Sequence, residues 1–400
     1  MKAYNISIRK ELVQEHITLY RVCFLFPSLA RGAYWQPVLT EFTKRFPFTV
    51  VLTGLWEGFV TQYQNGFTIR VVGRIGFLRF PFGKQEGYYH SAGFFVRVPV
   101  GRLIRELWSI QPHLVWCSGF SLWTLIAAVY KRICGGKLIV IYEGSSPSVD
   151  RRGSQLHTIW RRFLATKADA FVSNTKAGQA YLTEFLGVSS RKVFVHPYEV
   201  PDSKLWKDYL AKRGRASDGV VFLIVGQIIE RKGLRQFIEA TKLLFEAAPR
   251  DNWSVLIVGD GPLKGELEAM VQICNLEDRV KFLGQVKYEE LGRILSSAHV
   301  FVFPTLEDVW GVAPLEAMAM GMPVLCSKYA GASELVDDGV NGWIFDPHNP
   351  KELSEFMKRF VDYPILISTM GESAQNKMKA FTPEAAAEFL ARVATWVITQ

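Results

Sequence analysis

No apolar stretch in these 400 residues approaches the roughly 20 that a membrane-spanning helix needs. The longest candidates, such as Leu122 to Tyr130, stop at Lys131 and Arg132. The opening residues, MKAYNISIRKELVQEH, are polar and mixed in charge, without the plan of a signal peptide. A cytoplasmic location is therefore expected. Cysteine is scarce: Cys23, Cys117, Cys134, Cys274 and Cys326 are scattered, and no pair has metal or redox spacing. Reduced thiols, mostly buried, are expected. The histidines have no partner at ligand spacing, and no Asp-x-Asp pair occurs, so no metal site is expected. Internal repeats, low-complexity segments and recognised nucleic-acid modules are also missing, so no nucleic-acid partner is expected.

What is present is length, alternation and a lopsided charge. Four hundred residues exceed one typical core, which makes two domains the default. Residues 1–200 carry 25 Lys and Arg against 11 Asp and Glu, whereas residues 201–400 carry 22 against 27. A basic first half suits an anionic surface or substrate. Apolar strand-like runs alternate with helical ones in both halves, the pattern of parallel sheets covered on both faces. The polar stretch 201–218 interrupts the alternation and reads as a linker. The expected organisation is a Rossmann-like domain over 1–200, a second over 219–380, and a final helix over 381–400 that packs back on the first domain. Such sheets bind ligands at the carboxyl ends of their strands.

The densest segment is Phe301 to Pro347, FVFPTLEDVWGVAPLEAMAMGMPVLCSKYAGASELVDDGVNGWIFDP. A strand, Val300 to Phe303, ends at Pro304. Asp308 and Glu316 follow with seven residues between them, and a helix is expected over Pro314–Met320. A helix N-terminus after a strand is an anion site, because its free N–H groups and its dipole converge. Two carboxylates beside it suit hydroxyl donors rather than phosphate. A phosphate carrying a polyol, as in a nucleotide sugar, fits both halves of the pattern.

The Asp308-x7-Glu316 pattern resembles the acid-x7-acid motif of the retaining glycosyltransferases of family 4, whose fold is GT-B. Further segments resemble that family in order: IVGQIIERKGLRQFIEATKLL (Ile224 to Leu244), LIVGDGP (Leu256 to Pro262), VKFLGQV (Val280 to Val286) and NGWIFDP (Asn341 to Pro347). The likeness is close from Val220 to Pro347 and only an outline before that. It implies α/β architecture with two Rossmann-like doubly wound domains facing a central cleft. It also implies transfer of a sugar from a nucleoside diphosphate donor to a glycan or lipid-linked acceptor hydroxyl. Configuration would be retained, with no metal and no cofactor. Polysaccharide or glycolipid assembly, next to an anionic membrane surface, is the matching setting.

The same resemblance assigns roles by position. Glu316 matches the acid that binds the donor ribose, and Asp308 the acid that contacts the transferred sugar, where glutamate is usual. Arg231 and Lys232 would neutralise the departing diphosphate; Gln227 stands where the family usually has arginine after the glycine matching Gly226. Gly226, Gly311, Val312 and Val286 fall at donor-binding positions. Glu143 stands about where many members have a histidine near the reacting sugar, or is a loop acid satisfied by Ser145 or Ser146. Gly32 either admits the diphosphate to the backbone or makes an ordinary strand-to-helix turn. A catalytically silent nucleotide-sugar binder and another GT-B activity, such as an epimerase, remain as alternatives.

Overall fold

The structure is a computed structural model that describes residues 18–29, 34–73, 100–210 and 219–400. Gly32 lies outside the described residues. The chain divides into two units. One holds the described residues up to Glu199 together with Pro383–Gln400; the other holds Val200–Thr382.

The first unit is built on β1 (Val22–Phe26), β2 (Thr49–Thr53), β3 (Thr68–Val71), β4 (Leu114–Ser118), β5 (Lys137–Ile141), β6 (Ala170–Ser173) and β7 (Val193–Val195). They form one parallel sheet in the order β3-β2-β1-β4-β5-β6-β7. β1, VCFLF, is buried throughout, because a parallel strand covered on both faces has no solvent side. Its Phe24 stacks on Trp116 of β4 with ring centroids 5.3 Å apart. The principal helices are α1 (Trp35–Thr43), α2 (Val100–Ile110), α3 (Leu122–Cys134) and α4 (Gln155–Ala165). The segment after β6 is α-helical over Lys176–Ala180 and continues as a π turn over Tyr181–Phe185.

The second unit contains β8 (Val220–Val225), β9 (Trp253–Val258), β10 (Val280–Gly284), β11 (Val300–Phe303), β12 (Val324–Ser327) and β13 (Gly342–Phe345). The sheet order is β10-β9-β8-β11-β12-β13, again all parallel. Its helices are α5 (Leu234–Ala247), α6 (Lys264–Ile273), α7 (Tyr288–Ser297), α8 (Val312–Ala319), α9 (Pro350–Asp362) and α10 (Ile365–Met378). The inward rows of α5 and α9 meet Phe222, Val255 and Val302 in one core. Each such large side chain contributes about 1.5–3 kcal/mol on burial. Strand order reverses between β8 and β11, the position at which sheets of this kind bind ligands at their carboxyl ends.

The last helix, α11 (Pro383–Ile398), belongs to the first unit and packs on α1. Arg45 pairs with Glu388, and Trp396 meets Phe194 with centroids 5.1 Å apart. Of the cysteines, Cys23, Cys117 and Cys326 are buried, Cys274 is half-buried and Cys134 is exposed. The exposed thiol departs from the expected burial because Cys134 ends α3, just before the left-handed Gly135.

Candidate active site at the reversal of the second sheet

The loops after β8 and β11 are joined by glycine and by hydrogen bonds. Gly233 has φ +67°, and a Cβ there would lie 1.9 Å from the Pro304 carbonyl oxygen. Only glycine allows that approach at that φ. Leu306 N donates to Arg231 O at 2.8 Å, and the buried Thr305 Oγ1 lies 2.9 Å from the Arg231 and Glu307 carbonyl oxygens.

This stitching brings Arg231, Lys232 and Asp308 together. Lys232 Nζ donates to Asp308 Oδ2 at 2.6 Å, and Arg231 Nη1 donates to the same oxygen at 3.1 Å and to Glu307 O at 3.0 Å. The Lys232 ammonium also sits over the Phe303 ring, 4.8 Å from its centroid. The Asp308 backbone is held from the other side by Tyr329 O at 3.1 Å and Gly331 N at 3.0 Å. Its side chain is only 12% exposed. Burial alone would raise its pKa, but the charges and hydrogen bonds of Lys232 and Arg231 outweigh that and hold it below the usual carboxylate range. Asp308 is thus a fixed anion between two cations.

Glu316 has the opposite electrostatics. α8 starts at Val312, two residues before the expected Pro314, so Glu316 lies in the second turn rather than opening the helix. The dipole at the first turn therefore does not explain it. Gly311, with φ +96°, precedes α8, and a Cβ there would stand 2.8 Å from Phe303 Cε1. The Glu316 side chain is buried. Burial pushes its carboxyl up to about 7, against a hydrogen bond with Tyr288 that lowers it. The two carboxylates, eight positions apart, are pushed in opposite directions because the cations outweigh burial at Asp308, whereas burial outweighs the Tyr288 hydrogen bond at Glu316.

The glycine-rich floor lies alongside. Gly226 N donates to Val258 O at 3.0 Å, and a Cβ on Gly259 would lie 1.8 Å from Gly226 O. Above Gly226 itself there is room, since the nearest atom to an added Cβ is Lys232 Cε at 3.9 Å. Val312 is half-buried at the start of α8, and Val286 is half-buried in the segment after β10. Glu143 belongs to the first unit, after β5. Ser145 Oγ donates to Asp150 Oδ2 at 2.5 Å. Tyr288 and Thr305 were not foreseen. Tyr288 stands two residues beyond Val286 and opens α7, which is the only sequence signal for it.

Among the described residues no group of three His, Cys, Asp or Glu gathers as a metal site, and no helix is long and apolar enough to cross a membrane.

Comparison with known proteins gives the class. The Anabaena protein HepE, solved with UDP, superimposes with a TM-score of 0.73 at 19% identity, covering 94% of this chain and all of that one. The chain has the GT-B α/β fold. Residues 207–377 match the model of the glycosyl transferases group 1 family. An alpha-D-kanosaminyltransferase from Streptomyces kanamyceticus is 30% identical over 173 residues, 43% of this chain and 44% of that protein. A 2-deoxystreptamine glucosyltransferase from the same organism is 29% identical over 277 residues, 65% of this chain and 70% of that protein. The chain thus spans less than half the length of the first of these relatives and somewhat over two thirds of the second.

Proposed function

We propose that this chain is a retaining glycosyltransferase of family 4, transferring a sugar from a nucleoside diphosphate sugar to an acceptor hydroxyl without a metal. The observation that carries the reading is the Asp308 carboxylate clamped by Lys232 and Arg231 at the reversal of the second sheet. The triad leaves one net positive charge for a diphosphate, fixed by backbone stitching rather than by mobile side chains. Preorganised charge of this kind stabilises a leaving anion with little reorganisation. Asp308 accepts from sugar hydroxyls with its remaining lone pairs. Glu316 accepts the ribose hydroxyls, which favour its ionised form and draw its raised pKa back down. The open space over Gly226 lets phosphate oxygens approach the backbone. HepE has been solved with UDP and with UDP-glucose, which makes uridine donors the first to test.

The finer readings follow from the same assignment. The leaving phosphate takes the acceptor proton on the attacked face, so the protein positions the partners rather than supplying a strong base. The first unit takes a glycan or lipid-linked acceptor, with Glu143 and Gly32 as its candidate contributors. Peripheral attachment to an anionic membrane surface, in polysaccharide or glycolipid assembly, goes with the basic first 200 residues. The experiment is a thermal-shift screen over nucleoside diphosphates and their sugars. At least one nucleoside diphosphate and its sugar should raise the melting temperature. No shift with any of them would contradict the reading.

A further inference from the structure

We propose that the outer face of α2, α3 and α4 in the first unit is the surface by which the protein docks on an anionic lipid bilayer. The inference deepens the membrane reading above and rests on it. α2 lies beside α3 and α3 beside α4. The Trp108 ring of α2 meets Tyr130 of α3 edge-on at 6.1 Å. All three helices present apolar side chains outward as well as inward. α2 buries Leu103, Leu107 and Ile110 yet exposes Val100, Ile104 and Trp108 at four-residue spacing. α3 exposes Leu122, Val129 and Ile133, the last to 62%. α4 exposes Leu156 to 83% and Ile159 to 64%, with Phe163 one turn on. Single exposed apolar residues need no explanation, but matching stripes on three adjoining helices do.

Charge identifies the occupant. The sequences of these helices contain one carboxylate, Glu106, and Arg70 pairs it at 2.7 Å. Against it stand the exposed Arg102, Arg105, Arg132 and Arg162. An apolar stripe with a basic border is the pattern of a surface lying in the headgroup region of anionic lipid. A two-fold dimer through this face would set the same basic border against itself, which is unfavourable. A bilayer of anionic lipid supplies both the apolar medium and the opposite charge.

The test uses the full chain and vesicles of phosphatidylcholine, with and without phosphatidylglycerol. Wild type should sediment with the phosphatidylglycerol vesicles at low salt and be released by high salt. The double variant Leu156→Glu/Ile159→Glu, both at exposed positions, should reduce binding tenfold or more. Arg102→Ala and Arg132→Ala should each weaken it about fivefold at low salt. Ile365→Glu, equally exposed but in the other unit, should leave it unchanged. The inference is overturned by wild type that ignores vesicles, by equal binding to both lipid mixtures, or by undiminished binding of the double variant. It is overturned too if the double variant turns a dimer into a monomer in light scattering, since a second copy is then the occupant. Nucleoside diphosphate binding is measured in parallel. Loss of vesicle binding with nucleotide binding intact removes this inference alone, whereas the reverse result removes the proposed function alone.

Discussion

Lys232 Nζ and Asp308 Oδ2 stand 2.6 Å apart although 76 positions separate them in sequence. The contact joins the loops of two neighbouring strands, β8 and β11, at the point where strand order reverses. Arg231 reaches the same carboxylate oxygen, so a single, largely buried anion fixes both cations of the loop after β8. The loops therefore form one electrostatic unit before any ligand arrives.

Removing one cation should show the coupling. Lys232→Ala leaves Asp308 with Arg231 alone and should cost about 1–3 kcal/mol in urea unfolding. The double variant Lys232→Ala/Asp308→Asn should cost less than the sum of the single changes. Strict additivity would mean that the contact is not coupled.

The two acids should separate by ligand. Asp308→Asn releases the cations from their anion, so nucleoside diphosphate affinity should hold or rise while transfer falls sharply. Asp308→Glu should keep more transfer than Asp308→Asn. Glu316→Ala removes the proposed ribose contact and should weaken nucleoside diphosphate by about 1.5–3 kcal/mol in calorimetry. Equal loss of nucleotide affinity in Asp308→Asn and Glu316→Ala would reverse the assignment.

Most of this architecture is legible in the sequence, for identifiable reasons. The runs VVFLIV and VFVF are continuous, apolar and β-branched or aromatic, so β8 and β11 stand where such runs must be buried. The edge strand β3, TIRV, is largely exposed and carries no apolar pattern that would reveal it. The short β13 lies inside NGWIFDP, which reads as a closing segment rather than a strand. α4 was not foreseen because its inward residues are Arg161 and Leu164 while Leu156 and Ile159 face out, an inversion of the usual helical pattern. The spacing of Asp308 and Glu316 marks them as special. Their opposite electrostatics are not legible, since they depend on the burial of Glu316 and on Arg231 and Lys232 reaching Asp308 from the loop after β8.

Glu316 should give the fold a pH dependence of definite sign. Its pKa is about 7 in the native state against the ordinary 4.5. Between those values the native chain holds a proton that the unfolded chain has lost, so stability falls as pH rises from about 4.5 to about 7. The full cost above that window is of the order of 3 kcal/mol. Glu316→Gln should therefore be more stable than wild type at about pH 8, and the gap should close toward about pH 5. Urea unfolding at both pH values checks it, and a gap that does not narrow on acidification contradicts it. Nucleotide binding, which favours the anion, should tighten as pH rises through about 7.

Two glycines in one loop should behave differently. Gly233→Ala forces a Cβ against the Pro304 carbonyl at a positive φ and should destabilise by about 1–3 kcal/mol or more. Gly226→Ala has room in the structure and should keep wild-type stability. It should nevertheless weaken nucleoside diphosphate, because the methyl group occupies the space assigned to the phosphates. Wild-type nucleotide affinity in stable Gly226→Ala would empty that space of its role.

The most direct measurement is release of nucleoside diphosphate from a panel of nucleotide sugars by the purified chain in excess EDTA, with and without acceptor alcohols. At least one donor should be turned over at the same rate with and without EDTA, and Glu316→Ala and Lys232→Ala should abolish that turnover. No turnover of any donor, or turnover lost in EDTA and restored by magnesium or manganese, would contradict a metal-independent transferase built on Asp308, Arg231 and Lys232.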